Sequence, residues 1–108
     1  MAFEMSPQQP AGSPLTSGVL VFLLTDVEGS TYRWEEFPDA MGEALERHDA
    51  ILREAILSHG GHVFKTVGDS FHAVFSAPAA AVSAALQAQR ALNAQDFGAI
   101  EGMNVRMA

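Results

Sequence analysis

Two aspartates, Asp26 and Asp69, are candidate ligands for a metal ion. Asp26 ends the apolar run of FLLTDVEGST (residues 22–31), and Asp69 follows a glycine in KTVGDSF (residues 65–71). Two bare carboxylates held close together repel each other, and one of them is forced to keep a proton. Divalent cations remove this conflict, because Mg²⁺ prefers hard oxygen ligands and keeps open positions for water and phosphate oxygens. The two aspartates therefore predict a metal site if the fold brings them together.

A turn of small residues, Gly29, Ser30 and Thr31, comes shortly after Asp26. The turn precedes a predicted short helix, whose free N–H groups and dipole favour phosphate at this end. A simpler interpretation is that Asp26 caps the helix and that the turn holds no ligand. The sequence Gly-Asp-Ser around Asp69 likewise suits an ordinary hairpin turn. Spacing alone leaves both interpretations open.

Lys65 lies inside an apolar strand-like run, four residues before Asp69. In a strand, residues 65, 67 and 69 face the same way. A lysine on a buried face needs a partner, which could be a ring acceptor of a ligand. Alternatively, its charged end reaches the surface while its stem stays buried. Taken alone, the residue favours the surface interpretation.

The elements that position these residues follow from the hydrophobic pattern. Val19–Thr25 is a continuous apolar run, which is typical of a strand covered on both faces. Glu28–Phe37 is predicted to form a short helix that Pro38 ends. A second helix is predicted over residues 41–59, because the less polar residues recur at the spacing i, i+3, i+4 and i+7.

The second half of the chain continues with a hairpin, in which His62–Val67 and Phe71–Ser76 are the predicted strands. An alanine-rich helix is predicted over Pro78–Asn93, and Asn104–Ala108 begins another strand. The apolar stripe of that helix is predicted to be Val82, Ala85, Leu86, Gln89 and Leu92. The order β-α-α-β-β-α-β predicts an α+β fold whose helices cover one face of a sheet.

The composition limits the classes of partner. The 108 residues carry a net charge of −7 and no cysteine, which argues against nucleic acid or an anionic membrane and excludes thiolate chemistry. No apolar run is long enough to span a bilayer, and we expect a cytoplasmic protein. Residues 1–18, rich in Pro, Ser, Gln and Gly, are predicted to be a disordered leader. His48 and His59 are interpreted as helix-face or surface residues rather than metal ligands.

Together these motifs resemble the class III nucleotidyl cyclase catalytic domain of bacterial type, the adenylate/guanylate cyclase homology domain. The resemblance covers residues 18–108 and rests on FLLTDVEGSTYRWEE, HDAILREAILSHGGHVF and KTVGDSFHAVF. It implies a ferredoxin-like βαββαβ core that works as a head-to-tail homodimer or pairs with another cyclase chain. It also implies that residues 19–108 are the amino-terminal portion of that domain, ending after the third main helix and the start of the next strand.

The resemblance further implies roles for individual residues. Asp26, Asp69 and the backbone carbonyl of Val27 would hold two Mg²⁺ or Mn²⁺ ions. The Gly29–Thr31 turn would hold a triphosphate, and Lys65 would select adenine. One chain would supply the metal site while its partner supplies the base-recognition residues.

The implied reaction converts ATP to cyclic AMP and pyrophosphate in signal transduction, with GTP a less favoured substrate. The 3′-hydroxyl attacks the α-phosphorus while the metal ions neutralise charge on the phosphate oxygens. In the family, a segment that follows the position of VRMA carries the asparagine and arginine that stabilise the transition state. No catalytic residue is therefore assigned here, and the 108-residue chain alone is expected to be inactive. The alternative is a non-catalytic nucleotide-binding or regulatory module.

Overall fold

The structure, a computed structural model, describes residues 19–108, and the predicted leader at residues 1–18 lies outside the described part. The predicted order of elements is confirmed within the described part. The bounds are β1 Val21–Val27, α1 Ser30–Glu36, α2 Pro38–Ser58, β2 His62–Val67, β3 Ser70–Phe75, α3 Pro78–Asn93, a 3₁₀ turn Gly98–Ile100, and β4 Val105–Met107.

The strands form one antiparallel sheet in the order β2-β3-β1-β4. β1 therefore lies in the interior of the sheet, with β3 on one side and β4 on the other. Helix α2 lies between β1 and β2 along the chain, and α3 lies between β3 and β4. This is the arrangement of a ferredoxin-like βαββαβ unit, with the short helix α1 added after β1. The predicted α+β class is confirmed.

β1 alternates between a covered face and an open face of the sheet. Leu23, Thr25 and Val27 are buried, whereas Phe22 and Leu24 on the other face are 48% and 44% exposed. Residues of α2 and α3 share one core cluster with the buried positions of β1. The prediction that helices cover one face is therefore confirmed. The prediction that β1 is covered on both faces is wrong, because both long helices pack on the same side.

Strand ends differ slightly from the prediction. β1 starts two residues later than the apolar run and extends to Val27, so Asp26 is the next-to-last residue of the strand. β3 occupies Ser70–Phe75 rather than Phe71–Ser76, whereas β2 has the predicted bounds. The later end of β1 has a tertiary cause, because Thr25–Val27 pair with β4 after the pairing with β3 has stopped.

Pro38 begins α2 instead of only ending α1. The helices are separated by a single residue, Phe37, and α2 starts three residues before the predicted residue 41. Proline is well tolerated at the first position of a helix, where its missing N–H group would have had no partner within the helix. The predicted start of α1 at Glu28 is also wrong, because Glu28 and Gly29 form a turn.

The spacing predicted for α2 is confirmed by its buried residues, which are Met41, Ala44, His48, Leu52, Ala55 and Ile56. The His48 side chain is fully buried, so of the two interpretations, helix face or surface, the helix-face one holds for this residue. Its Nδ1 lies 2.8 Å from an oxygen of Asp49, and its ring lies 5.9 Å from that of Phe71 in an edge-to-face arrangement. His59 is half-buried, and its Nδ1 lies 2.9 Å from the carbonyl oxygen of Ala55.

Helix α3 packs through alanines rather than through its larger apolar residues. Ala81, Ala84 and Ala88 are buried together with Leu92, whereas Val82 and Leu86 are 59% and 49% exposed. The predicted stripe is therefore wrong except for its last residue and the partly buried Ala85 and Gln89. Small side chains allow the helix to approach its neighbours closely, because protein interiors are densely packed.

No helix within residues 19–108 is both long enough and apolar enough to cross a membrane.

Gly61, between α2 and β2, provides a test of the core packing. A Cβ atom at this position would lie 2.5 Å from a ring carbon of Phe75 and 2.8 Å from a methyl carbon of Ile56. Both neighbours are buried, so Gly61→Ala is expected to lower the free energy of unfolding by about 1–3 kcal/mol. Chemical denaturation of the chain measures the effect.

The matched control is Gly42→Ala in α2, where a Cβ would meet nothing within 4 Å. This substitution is expected to raise the free energy of unfolding by about 0.5–1 kcal/mol, because alanine has the higher helix propensity. Equal stability of the two variants would contradict the packing described for Gly61.

Candidate functional site

The candidate site lies where β1 parts from β3. The ladder between these strands runs from Val21 opposite Phe75 to Leu24 opposite His72 and then stops. The remaining three residues of β1, Thr25–Val27, pair with β4 on the other side. The backbone of β1 therefore turns to a new partner at the position that precedes Asp26.

Two hydrogen bonds to side chains replace the missing ladder. The buried Thr25 hydroxyl oxygen accepts from the N–H of Phe71 at 3.1 Å. The Asp69 carboxylate accepts from the N–H of Val27, also at 3.1 Å. The Asp69 carboxylate thus lies against the peptide group that joins Asp26 to Val27. The structure therefore places Asp69 against β1, next to Asp26 in the strand.

Asp26 projects from the same face of β1 as the exposed residues Phe22 and Leu24, because the three positions alternate with buried ones. Its side chain is 46% exposed and forms an ion pair with Arg106, the residue opposite it in β4. The same guanidinium lies 4.0 Å from the carboxylate of Glu28. Asp26 is therefore accessible from solvent but already has a cationic neighbour.

The Asp69 carboxylate keeps oxygen lone pairs that a divalent cation could use. Asp69 accepts one hydrogen bond from Val27 through a single oxygen, Oδ1. A carboxylate offers about four lone-pair positions, so oxygen ligands remain. Within residues 19–108, no group of three or more His, Cys, Asp and Glu side chains is placed to hold a metal. Ions such as Mg²⁺ bind one or two carboxylates and complete their shell with water and phosphate oxygens.

The turn after β1 has the conformation that glycine permits. Gly29 has φ 67° and ψ 29° and precedes α1, and no side chain caps the helix. The interpretation of Asp26 as the helix cap is therefore wrong. The first N–H groups of a helix have no partner within it, and here no side chain takes them. Gly29 precedes the helix, and Ser30 and Thr31 are its first two residues.

Arg33 fixes this turn and was not identified from the sequence. Its guanidinium donates to the carbonyl oxygens of Glu28 at 3.3 Å and Gly29 at 3.4 Å. The same group donates to Gly102 at 2.8 Å and Glu101 at 3.4 Å. Arg33 therefore joins the turn after β1 to the loop before β4 and leaves the N–H side of the turn to other partners.

Two pKa shifts occur beside this region. The hydrogen bond from Tyr32 to Glu101, 3.1 Å long, raises the pKa of the Tyr32 hydroxyl. The hydrogen bond to Asp26, strengthened by opposite charge, raises the pKa of Arg106. Both groups therefore stay protonated near neutral pH.

Lys65 lies away from the aspartates. It is exposed, it stands opposite His72, and β3 separates its strand from β1. The interpretation of Lys65 as a residue of a buried face is wrong, because β2 is an edge strand in which residues 64–67 are all exposed. The surface interpretation, which the residue alone favoured, agrees with this position. The structure groups Asp26, Asp69 and the turn, and it leaves Lys65 apart.

Comparisons with known proteins confirm the resemblance, although no protein-family model matches the chain. The adenylate cyclase of Lachancea kluyveri is 40% identical over 81 residues, which are 75% of this chain and 4% of that protein. An adenylate cyclase structure from Trypanosoma brucei, solved in the monomeric state, is 33% identical with a TM-score of 0.73. It covers 81% of this chain and 37% of that one. A solved guanylyl cyclase, 21% identical over 82% of this chain and 51% of its own, shares the fold with a TM-score of 0.71.

Over most of its length the chain is thus similar in sequence to adenylate cyclases and in fold to class III adenylyl/guanylyl cyclase domains. It spans 4% and 6% of the length of the first curated relatives that it matches. The similarity therefore concerns one domain-sized region of much longer proteins.

Thr25 provides a test of the site's framework. Thr25→Val keeps the shape of the side chain and removes the acceptor of the Phe71 N–H, which costs about 1–3 kcal/mol when the donor is buried. We expect faster amide hydrogen exchange at Phe71 in this variant, measured by NMR. Thr25→Ser retains the hydroxyl and is expected to preserve the protection. Unchanged exchange at Phe71 in Thr25→Val would show that the hydroxyl does not hold the hairpin.

Proposed function

We propose that this chain supplies the metal-binding and triphosphate-binding part of a class III nucleotide cyclase that converts ATP to cyclic AMP and pyrophosphate. One observation carries the proposal: the 3.1 Å hydrogen bond that holds the Asp69 carboxylate against β1, beside Asp26. An aspartate that serves only its own hairpin turn bonds to nearby backbone. Asp69 instead reaches a residue 42 positions away.

In this proposal Asp26, Asp69 and the backbone carbonyl of Val27 hold two Mg²⁺ or Mn²⁺ ions. When bound, such ions lower the pKa of an attacking hydroxyl and stabilise the charge that develops on phosphate oxygens. The chain's own contribution is positioning. The Val27 N–H orients the Asp69 carboxylate, and the buried bond from Phe71 to Thr25 keeps the hairpin next to β1.

The triphosphate is assigned to the Gly29–Thr31 turn. Its support is the uncapped start of α1, where N–H groups lack side-chain partners, together with the absence of a Cβ atom at Gly29. A Cβ there would lie 2.8 Å from a nitrogen of Arg33. A side chain at this position would therefore displace the guanidinium that holds the turn. The small residues also let a phosphate approach the backbone closely.

A second cyclase domain is the proposed partner. Phe22, Leu24 and Phe64 on the open face of the sheet are between 42% and 48% exposed, and the rings of Phe22 and Phe64 lie 5.7 Å apart. Clustered exposed apolar side chains of this kind mark interaction surfaces. We assign this face to a head-to-tail homodimer or to pairing with another cyclase chain. Lys65 is remote from Asp26 in its own chain, so it would contact the purine base of a nucleotide bound at the partner's metal site.

The first test uses Mn²⁺, which is counted directly by electron paramagnetic resonance. Asp26→Asn and Asp69→Asn each remove one charged ligand, and each is expected to weaken Mn²⁺ binding at least tenfold, since even partners of metal ligands contribute about 10–100-fold. In Asp69→Asn the side-chain amide oxygen can still accept from the Val27 N–H, so the fold is expected to persist. Glu46→Gln, at an exposed position of α2, removes the same charge elsewhere and is the control.

Conversion of ATP to cyclic AMP is measured with the full polypeptide that the gene encodes. Cyclic AMP and pyrophosphate are expected to form from ATP only with Mg²⁺ or Mn²⁺, and not in either aspartate variant. Metal-dependent ATP binding without any cyclic nucleotide would instead support the non-catalytic nucleotide-binding module. Full activity of both aspartate variants would contradict the proposal.

Lys65→Gln tests the assignment of base selection. If Lys65 hydrogen-bonds adenine, the ratio of ATP to GTP affinity is expected to fall about tenfold, as a hydrogen bond from a charged group contributes about 1.5–3 kcal/mol. Competition binding with Mn²⁺ present measures this ratio. Arg53→Gln is the control, because Arg53 lies beside Lys65 on the same surface pocket. An unchanged ratio in Lys65→Gln, or an equal change in Arg53→Gln, would contradict the assignment.

A further inference from the structure

The aspartates of the site are held in different ways. Asp69 accepts from a neutral backbone N–H, that of Val27, so this bond leaves its negative charge in place. Asp26 instead forms an ion pair with the Arg106 guanidinium, which neutralises it. The pairing follows from the fold, because Arg106 stands directly opposite Asp26 in the ladder between β1 and β4. The two proposed metal ligands therefore present different charges to an approaching cation.

The position of Arg106 conflicts with a cation at Asp26. A guanidinium and a divalent cation on the same carboxylate repel each other, and the arginine cannot relieve the repulsion by losing its proton. Glu28, 4.0 Å from the guanidinium, adds a second attraction that holds the arginine at this place. A cation that binds Asp26 must therefore compete with Arg106.

The Arg106 side chain can move away from Asp26 without disturbing the sheet. Its side chain is 63% exposed, so rotation of the side chain alone takes the guanidinium into solvent. The backbone on both sides stays anchored, because Gln89 donates to the carbonyl oxygen of Val105 at 2.8 Å. Leu24 and Ala108 also exchange two backbone hydrogen bonds of 2.9 Å. The exchange of cations is therefore a local event at one side chain.

We infer that Arg106 is an internal counter-ion for Asp26, which occupies this carboxylate until a divalent cation displaces it. The inference rests on the proposed metal site and adds a positioning residue to it. Metal binding then becomes an exchange, in which the affinity for the ion is lowered by the strength of the Asp26–Arg106 pair. The arginine keeps Asp26 neutralised while no metal is bound, which offsets repulsion between Asp26 and its acidic neighbours.

The test is a Mn²⁺ titration of the nucleotide-free chain, followed by electron paramagnetic resonance. Arg106→Gln is expected to bind Mn²⁺ about two- to fivefold more tightly than the unchanged chain, the range that an exposed ion pair supports. The difference is expected to shrink at high salt, because salt screens the pair. Arg90→Gln, which removes an exposed arginine from α3, is expected to leave the affinity unchanged. Arg106→Lys retains the charge and is expected to stay near the unchanged chain.

Equal or weaker Mn²⁺ binding by Arg106→Gln would overturn the inference and leave the metal site standing. Equal tightening by Arg90→Gln would overturn it as well, since net charge would then explain the effect. Absence of Mn²⁺ binding in every variant would overturn the metal site and this inference together.

If Arg106→Gln does not fold, the Arg106 guanidinium NMR signals of the unchanged chain decide the question. They are expected to shift on saturation with diamagnetic Mg²⁺, and unshifted signals at saturation would overturn the inference.

Discussion

The structure of the site depends on how the hairpin is attached to β1 after their shared ladder has ended. Thr25 and Asp69 provide side-chain oxygens at that point, and each accepts one backbone N–H across the gap. The backbone groups there would otherwise be left without partners, which is costly in a folded protein. One of these bonds also holds the Asp69 carboxylate next to Asp26. The contact that closes the sheet at this point is therefore also a contact of the candidate site.

Much of the fold could be predicted because its signals are local. The edge strand β2 and the long helix α3 have their predicted bounds: β2 lies between Gly61 and Gly68, and α3 begins at Pro78. Pro38 misled the prediction of the helix boundary, because proline suits the first position of a helix as well as the residue after one. The buried face of α3 was also missed. In an alanine-rich helix, hydrophobicity alone does not tell whether alanines or larger residues pack inward, and here close packing favours the alanines.

The site was predictable only in its local parts. Asp26, Asp69 and the Gly29–Thr31 turn mark the ends of elements, and sequence patterns reveal such ends. Thr25 and Arg33 were missed because their partners are distant along the chain: Phe71 is 46 positions from Thr25, and Gly102 is 69 positions from Arg33. For Lys65 the sequence left a buried and a surface interpretation open and favoured the surface one, which agrees with its exposed position on the edge strand β2.

A shift of register in β2 has a consequence for association between copies of the chain. β2 is an edge of the sheet, and the unpaired backbone groups of an edge strand readily recruit further strands, which leads to aggregation. An irregularity between Val63 and Lys65 bends this edge, and a lysine on it adds charge. Both features discourage uncontrolled strand addition. Lys65, which we propose contacts the purine base, thus also places a positive charge on the edge of the sheet.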